Sequence, residues 1–111
     1  MADCIFCKIA SGEIKGNVVY QDEQVTGFRD LNPQAPTHVL LIPNRHVASI
    51  DELDDAGLSF RLLRAARQVA HDEKLDNGWR LVTNVGPDSG QTVFHLHWHL
   101  LGGRQMGWPP G

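Results

Sequence analysis

Residues 92–103 read TVFHLHWHLLGG, and every second position in the middle of this stretch is a histidine: His95, His97 and His99. The residues between and after them are bulky and apolar: Leu96, Trp98 and Leu100. Side chains of an extended strand alternate between its two faces, so this pattern predicts three imidazoles on one side. We therefore expect an apolar face packed into the core, and a histidine face that is either functional or simply exposed to solvent.

The segment just before this strand favours a functional histidine face. Residues 86–91 read GPDSGQ, a glycine-rich loop of the kind that brings backbone N–H groups close to a phosphate. Neutral imidazole is well populated near pH 7 and can attack phosphorus, giving a phosphoryl- or nucleotidyl-histidine that water then cleaves. A second imidazole can donate to the phosphoryl oxygens or protonate the leaving group. The pattern indicates phosphoryl or nucleotidyl transfer without a catalytic metal.

Length and charge narrow the class of protein. The chain has 111 residues, which predicts one domain over residues 1–111, including an irregular tail at 102–111. Its net charge of -3 argues against nucleic acid as a partner, because binding the phosphate backbone needs a basic surface. A nucleotide pocket is still compatible with this charge, since backbone donors can hold one phosphate group. No membrane span or signal sequence is recognisable, so we expect a cytoplasmic location.

Short apolar segments bounded by turns predict the strands. Residues 18–30 (VVYQDEQVTGFRD) predict two strands around a polar turn at residues 21–24. Residues 37–43 (THVLLIP) and 79–85 (WRLVTNV) predict one strand each. Together with the histidine segment, they predict a sheet of about five strands.

Two helices complete the predicted fold. A short helix near the N-terminus is expected to end at Gly12. Apolar residues at helical spacing predict a long helix from about Asp54 to Leu75, capped by Asp54 or Asp55. Most connections are too short for parallel crossovers, so we expect an α+β fold with an antiparallel sheet.

Two cysteines, Cys4 and Cys7, form a C-x-x-C pair near the N-terminus. In a reducing compartment this spacing is more typical of metal binding or redox chemistry than of a structural disulfide. A tetrahedral zinc site would need two further ligands. The candidate nitrogen donors are His38, His46, His71 and the three strand histidines. Two buried thiols without a ligand are the alternative, and thioredoxin-like chemistry is less favoured because no βαβ pattern surrounds the pair.

The sequence HLHWHLL at residues 95–101 resembles the His-φ-His-φ-His-φ-φ signature of the histidine-triad superfamily, where φ is an apolar residue. Flanking segments extend the resemblance to its nucleotide-binding branch, the purine nucleoside phosphoramidases. These segments are DCIFCKIASGEI (3–14), FRDLNPQAPTHVLLIPNRHV (28–47) and NVGPDSGQTVFHLHWHLLGGRQMGWPPG (84–111). The resemblance implies a homodimer that binds purine nucleoside monophosphates and hydrolyses the P–N bond of nucleoside 5′-phosphoramidates.

The same resemblance implies a role for each histidine of the site. The middle histidine, His97, is expected to be the nucleophile that becomes nucleotidylated. His99 is its neighbour at the α-phosphate. His38 is expected to support this pair from an adjacent strand, and His95 to support the orientation of His97.

A substrate site is also implied by the resemblance. Asp30 matches the acidic residue that holds the ribose hydroxyls, and Leu31 lies beside it. The positions expected around the phosphate and the leaving group are Asn84, Gly90, Gln91 and Thr92. The apolar slot for the purine comprises residues that could equally be plain core: Ile5, Phe6, Ile9, Ile14 and Phe28. Trp108 resembles a tail residue placed near the active site of the dimer partner.

Some relatives of bacterial type bind zinc, and this chain resembles them in its full ligand set: Cys4, Cys7, His46 and His95. His95 would then be both a member of the histidine triad and a ligand of a structural zinc ion. Three positions depart from the branch pattern. Arg29 replaces a histidine of eukaryotic relatives, Thr92 stands where serine is frequent, and Gly107 replaces a bulkier residue.

Three rival functions share these features. A dinucleoside polyphosphate hydrolase or nucleotidyl transferase would use the same histidines. A nucleotide-binding module with incidental catalysis is the second rival, and a structural zinc protein is the third. The short chain and the tail sequence GRQMGWPPG favour the phosphoramidase.

Overall fold

In the computed structural model, which describes residues 4–111, two helices pack against one antiparallel sheet. The helices are α1 (Ile5–Ser11) and α2 (Ala56–Asp72). The strands are β1 (Val18–Gln21), β2 (Val25–Arg29), β3 (Thr37–Pro43), β4 (Trp79–Thr83) and β5 (Trp98–Gly102). Short 3-10 helices lie at Ile50–Glu52 and Pro87–Ser89. The predicted α+β class and the five antiparallel strands are confirmed.

The five strands follow the order β1-β2-β3-β5-β4, so β3 is central and β4 is an edge. On one side β3 pairs with β2, where Leu40 lies opposite Phe28. On its other side β3 pairs with β5, where Leu40 lies opposite His99. Leu40 therefore places an apolar side chain between an aromatic residue and a histidine on one face of the sheet.

The two faces of the sheet carry different layers. One face packs against α2, and its buried side chains come from β2, β3 and β5 or their flanks: Val25, Val39, Leu41, Leu96, Trp98 and Leu100. The other face packs against α1 through a smaller cluster: Phe6, Ile9, Phe28, Leu40 and Ile42. The even-numbered residues of the histidine segment thus lie in the main core, as their alternation predicts.

Both helices follow from capping and apolar spacing. The side chain of Asp55 accepts a hydrogen bond from the Leu58 N–H at 3.0 Å, which starts α2 one residue later than the first predicted cap. Gly12 ends α1 in the left-handed region at φ 85°. Among the helices of residues 4–111, none combines the length and the apolarity that crossing a bilayer requires.

The strand predicted for the histidine segment is shorter than expected, because β5 begins only at Trp98. His95 and His97 lie in irregular backbone before it. The carbonyl of His95 accepts from the ring of His97, and the ring of His95 donates to the carbonyl of Pro43. These side-chain bonds hold the segment before Trp98, which lies outside the strand ladder.

Candidate functional site

A single hydrogen bond fixes which ring nitrogen of His97 carries the proton. Nδ1 of His97 is 2.7 Å from the carbonyl oxygen of His95, and a carbonyl oxygen can only accept. Nδ1 therefore donates its hydrogen, and Nε2 of the neutral ring has a free lone pair. Nucleophilic attack on phosphorus requires such a lone pair.

His99 lies within β5 and holds the opposite tautomer. The Gln34 peptide N–H donates to Nδ1 of His38 at 3.0 Å, so the hydrogen of neutral His38 is on Nε2. That Nε2–H donates to Nδ1 of His99 at 2.9 Å. The hydrogen of neutral His99 is therefore on Nε2. The rings of His97 and His99, with centroids 5.1 Å apart, thus offer a lone pair and a donor side by side.

Burial keeps the two supporting imidazoles neutral, as this tautomer chain requires. Burial, with neighbouring His97 and His38 as smaller causes, lowers the pKa of His99 to about 4. Burial also lowers the pKa of His38, while the charge of Asp30 acts in the opposite direction. Both rings are therefore uncharged near pH 7.

Asp30, His38 and His99 lie close enough together to suggest a metal site, but their hydrogen bonds favour another role. Two histidines and a carboxylate are a common ligand set for iron. However, Nδ1 of His38 is occupied by the Gln34 N–H, so its Nε2 keeps the hydrogen and has no lone pair for a metal. Oδ2 of Asp30 is 3.5 Å from that Nε2. The three residues form a chain of polar contacts that orients His99.

His97 and His99 open onto a cavity of about 350 Å³ next to α1. This volume lies within the usual range for small-molecule pockets, roughly 300–1,000 Å³. One part of its wall is apolar: Ile5, Phe6, Ile9, Ile14, Phe28, Leu31, Leu40 and Val93. Another part is polar and includes Lys15, Asn17, Asp30 and Thr92. An apolar slot that ends at two histidines suits a flat ring joined to a phosphate.

Most of the substrate residues expected from the sequence line this cavity: Ile5, Phe6, Ile9, Ile14, Phe28, Asp30, Leu31 and Thr92. Phe6 is central among them. The ring of Phe6 packs edge to face against two other rings. Its centroid is 5.1 Å from that of His97 and 5.4 Å from that of Phe28. The aromatic wall of the slot therefore touches the ring that has the free lone pair.

Four expected substrate residues do not line the cavity: Asn84, Gly90, Gln91 and Trp108. Gln91 is buried, and its amide donates to the carbonyls of Ala48 and Val93 while its oxygen accepts from the Gly86 N–H. These bonds hold the loop before the histidine segment in place. Gly90 ends the 3-10 helix of that loop at φ 88°, and Trp108 is 83% exposed.

Arg29 lines the cavity, and its side chain is held there by an ion pair. Its guanidinium donates to both carboxylate oxygens of Glu73, at 2.8 and 3.0 Å. Glu73 follows directly after α2, so this contact joins the end of β2 to the end of the long helix. Arg29 stands where eukaryotic relatives have a histidine, and its positive charge is thus neutralised by Glu73.

Six lining residues were not predicted as site residues from the sequence: Lys15, Gly16, Asn17, Arg29, Leu40 and Val93. Leu40 could have been found from strand pairing, because the register places it opposite His99. Lys15 and Asn17 lie between α1 and β1, in irregular backbone without periodicity. No sequence signal indicates where such side chains point.

Next to this cavity, a second group of residues is arranged as a metal site: Cys4, Cys7, His46 and His95. Nδ1 of His95 is 3.2 Å from Sγ of Cys4 and 3.4 Å from Sγ of Cys7. Nδ1 of His46 is 3.5 Å from Sγ of Cys7. Of the histidines that the sequence left open as ligands, the fold selects His46 and His95.

The donors of this group fit tetrahedral zinc. Zn–S bonds of about 2.3 Å and Zn–N bonds of about 2.0 Å place ligand atoms roughly 3.5 Å apart. Nε2 of His95 donates to the carbonyl of Pro43 at 2.8 Å, which leaves Nδ1 free to bind a metal. Burial lowers the pKa of His95 to about 4, so the ring is neutral as metal binding requires. The zinc ligand set expected from the sequence is therefore assembled in the fold.

Comparisons with known proteins agree with this arrangement. The HIT domain family matches residues 11–106. The 14 kDa zinc-binding protein of Zea mays is 51% identical over 112 residues, covering 96% of this chain and 87% of the relative. A HIT family hydrolase from Legionella pneumophila Philadelphia 1 has a similar crystal structure, with a TM-score of 0.95, 51% identity and coverage of 98% and 100%.

A histidine triad nucleotide-binding protein from Candida albicans is also similar in structure, with a TM-score of 0.84 and 31% identity. The match covers 96% of this chain and 83% of that one. The chain therefore belongs to the HIT domain family. Within that family it carries a four-residue group able to hold zinc.

Proposed function

We propose that the protein is a hydrolase that cleaves the P–N bond of purine nucleoside 5′-phosphoramidates through a nucleotidylated His97. One observation carries this proposal: at one cavity, the hydrogen bond of His97 through Nδ1 leaves Nε2 free for a lone pair, and that of His99 leaves its Nε2 as a donor. The hydrolase and nucleotide-binding names of structurally similar proteins support the same reaction class.

In the first step, Nε2 of His97 attacks the α-phosphorus and the P–N bond breaks. The amine leaves with the electron pair of that bond and takes a proton from solvent, and the phosphorus becomes bonded to His97. Nε2–H of His99 donates to a phosphoryl oxygen as negative charge develops there. The carbonyl of His95 accepts from Nδ1–H of His97 and stabilises the positive charge that forms on the ring.

In the second step, water attacks the phosphorus and the bond to His97 breaks. The lone pair returns to Nε2, and the nucleoside monophosphate leaves with the release of one proton. Throughout both steps, the purine is held in the slot that includes Phe6 and Phe28, and Asp30 binds the ribose hydroxyls. The hydroxyl of Thr92 donates to the leaving group. In this proposal, Asn84 and Gly90 lie at the phosphate end of the bound nucleotide.

Zinc has no direct part in these steps. Cys4, Cys7, His46 and His95 would hold it, and when bound it would supply cross-linking of the N-terminal segment to the body of the fold. Phosphorus chemistry in this proposal uses imidazole groups and water alone.

The direct test is to incubate the protein with an adenosine 5′-phosphoramidate of a simple amine. We expect His97→Ala to lower kcat/KM at least roughly 1,000-fold, because the nucleophile is removed. His71→Ala is the matched control, since His71 is exposed on α2 far along the chain from the site. Turnover by His97→Ala at the wild-type rate would overturn the proposal.

A second measurement identifies the intermediate. His99→Ala should slow the reaction enough for mass spectrometry to detect an added AMP on a peptide containing His97. Rates on diadenosine polyphosphates separate this function from its enzymatic rival, which would prefer a P–O–P bond. Nucleotide binding without turnover of either substrate would leave the binding module as the function.

We further propose that the protein is a homodimer in the cytoplasm. Apolar side chains are exposed on the edge strand β4 and on α2: Trp79, Phe60 and Leu63. An edge strand also leaves backbone groups unpaired on one side. In such a dimer the exposed Trp108 would lie near the partner's cavity. Two free thiols agree with a reducing compartment, and cell fractionation tests the location.

A further inference from the structure

His95 connects the cysteine cluster to His97 through three of its own atoms. Its ring Nδ1 faces the sulfurs of Cys4 and Cys7, at 3.2 and 3.4 Å. Its ring Nε2 donates to the carbonyl of Pro43 at 2.8 Å. Its backbone carbonyl accepts from Nδ1 of His97 at 2.7 Å. One fully buried residue thus supplies both a nitrogen of the cluster and the carbonyl that sets the tautomer of His97.

A second connection runs from the same cluster through α1. The sulfur of Cys4 is the N-terminal cap of α1, and it accepts from the Cys7 N–H at 3.4 Å. The helix that starts there carries Phe6 and Ile9, two residues of the apolar slot. With only seven residues, α1 is too short to be stable without tertiary contacts. Its position against the cavity therefore depends on how its first turn is held.

We propose that the cluster is a positioning device for the site, and that metal occupancy holds the carbonyl of His95 in place against Nδ1 of His97 and maintains the fit of the apolar slot. His95 is the positioning residue for the nucleophile, and Cys4 and Cys7 position the slot through α1. Metal loss, or oxidation of the two thiols to a disulfide by a peroxide that is itself reduced to water or alcohol, then weakens catalysis and nucleotide binding together.

Only the part of this inference that concerns catalysis rests on the proposed function. The tautomer of His97 and the affinity for AMP are properties of the site whatever reaction it performs. Supporting contacts of metal-binding histidines commonly contribute roughly 10- to 100-fold to affinity or activity. We expect the effect on activity in this protein to fall in that range, and the effect on AMP affinity to be smaller.

The experiment compares the zinc-loaded protein with the same protein after chelation, using nitrogen-15 NMR of the histidine rings. In the zinc form, His97 should show one tautomer with hydrogen on Nδ1. After chelation we expect a mixture of tautomers, and calorimetry should give a dissociation constant for AMP that is roughly 3- to 10-fold higher. Returning zinc should restore both values.

Cys4→Ser separates metal binding from helix capping. Serine is a good N-cap, so this variant keeps the cap of α1 while it loses a zinc thiolate. We expect it to match the chelated protein in tautomer and AMP affinity, and added zinc should not restore it. If Cys4→Ser instead matches the zinc-loaded wild type, helix capping alone positions the slot and the proposal is wrong.

His46→Asn provides a variant that is independent of α1 and of the His95 carbonyl. It should need more zinc than the wild type, and at saturating zinc it should recover the single tautomer of His97. A folded, metal-free wild type with an unchanged tautomer and unchanged AMP affinity would overturn the inference. Absence of phosphoramidase activity with the predicted NMR and binding changes would overturn only the proposed function.

Discussion

At the residue scale, a backbone N–H sets the tautomer of His99 by acting through a second histidine that lies between them. Gln34 donates to His38, and His38 donates to His99, so each ring can have only one neutral tautomer. Gln34 lies in a loop, and its side chain is not needed for this effect. What matters is the peptide N–H of residue 34. A polar substitution at Gln34 should therefore leave the two tautomers unchanged, whereas proline, which lacks this N–H, should disturb them.

The depressed pKa of His99 predicts how stability depends on pH. The unfolded chain binds a proton on this histidine near pH 6.5, whereas the folded chain does so only near pH 4. The free energy of unfolding should therefore fall as the pH drops from 6.5 towards 4. For His99 alone, the loss between pH 7 and pH 5 should be about 1–2 kcal/mol.

Urea unfolding of the wild type and of His99→Gln at both pH values measures this loss. Glutamine cannot titrate, and its side-chain oxygen can still accept from His38. The variant should therefore lose less stability on acidification than the wild type does. An equal loss in both proteins would show that His99 titrates normally in the fold.

The histidine alternation also shows how far a residue pattern predicts a site. It correctly assigned Leu96, Trp98 and Leu100 to the core and indicated a functional opposite face. Alternation could not reveal that the backbone leaves the sheet before Trp98, because that depends on bonds from His95 to Pro43 and from His97 to His95. The first of these contacts joins residues 52 positions apart in the chain, which a local pattern does not show.

At the element scale, the start of α2 depends on Asp55. Its carboxylate accepts from the Leu58 N–H, and its ion pair with Arg45 at 3.7 Å is half exposed and contributes little. Asp55→Ala should lower the free energy of unfolding by about 1 kcal/mol. Thermal or urea unfolding checks this value.

Asp54→Ala is the matched control, because it removes the same charge from the neighbouring position. We expect it to change stability by less than about 0.5 kcal/mol. Asp55→Asn should retain most of the wild-type stability, since asparagine also caps helices. Equal losses for Asp54→Ala and Asp55→Ala would mean that charge, and not the cap, is responsible.

The elements themselves were well predicted wherever a cap, a turn or a proline marks their ends. Gly12, Pro43 and Asp55 lie at observed boundaries. The long helix ends at Asp72 and not at Leu75, because the chain turns at Lys74, whose φ is 59°. A lysine gives no advance sign of a left-handed backbone, so this boundary could not be predicted.

At the scale of the whole molecule, the proposed dimer makes a prediction about the two edges of the sheet. Trp79 on β4 and Val18 on β1 have nearly equal exposure, 40% and 41%, at opposite edges. If β4 lies in the interface, Trp79→Lys should weaken the dimer, because it would bury a charge there. Sedimentation velocity should then show a shift towards one chain.

Val18→Lys is the control at the other edge and should leave the sedimentation coefficient unchanged. A wild type that sediments as a single chain would remove the basis of the dimer proposal. If Val18→Lys dissociates the dimer and Trp79→Lys does not, the interface lies at β1. The cavity has no comparable pair of matched positions, so its role is tested by ligand binding and not by sedimentation.

The short length of β5 has a consequence for local dynamics. Amide hydrogens from Trp98 to Gly102 lie between two neighbouring strands, so they should exchange with solvent only on large openings of the sheet. Just upstream, the carbonyl of His95 accepts from the ring of His97 and not from a neighbouring strand. The proposed nucleophile, His97, thus lies where a slowly exchanging sheet meets backbone that is held by side-chain contacts. This position would let the ring take on a nucleotidyl group without the sheet having to move.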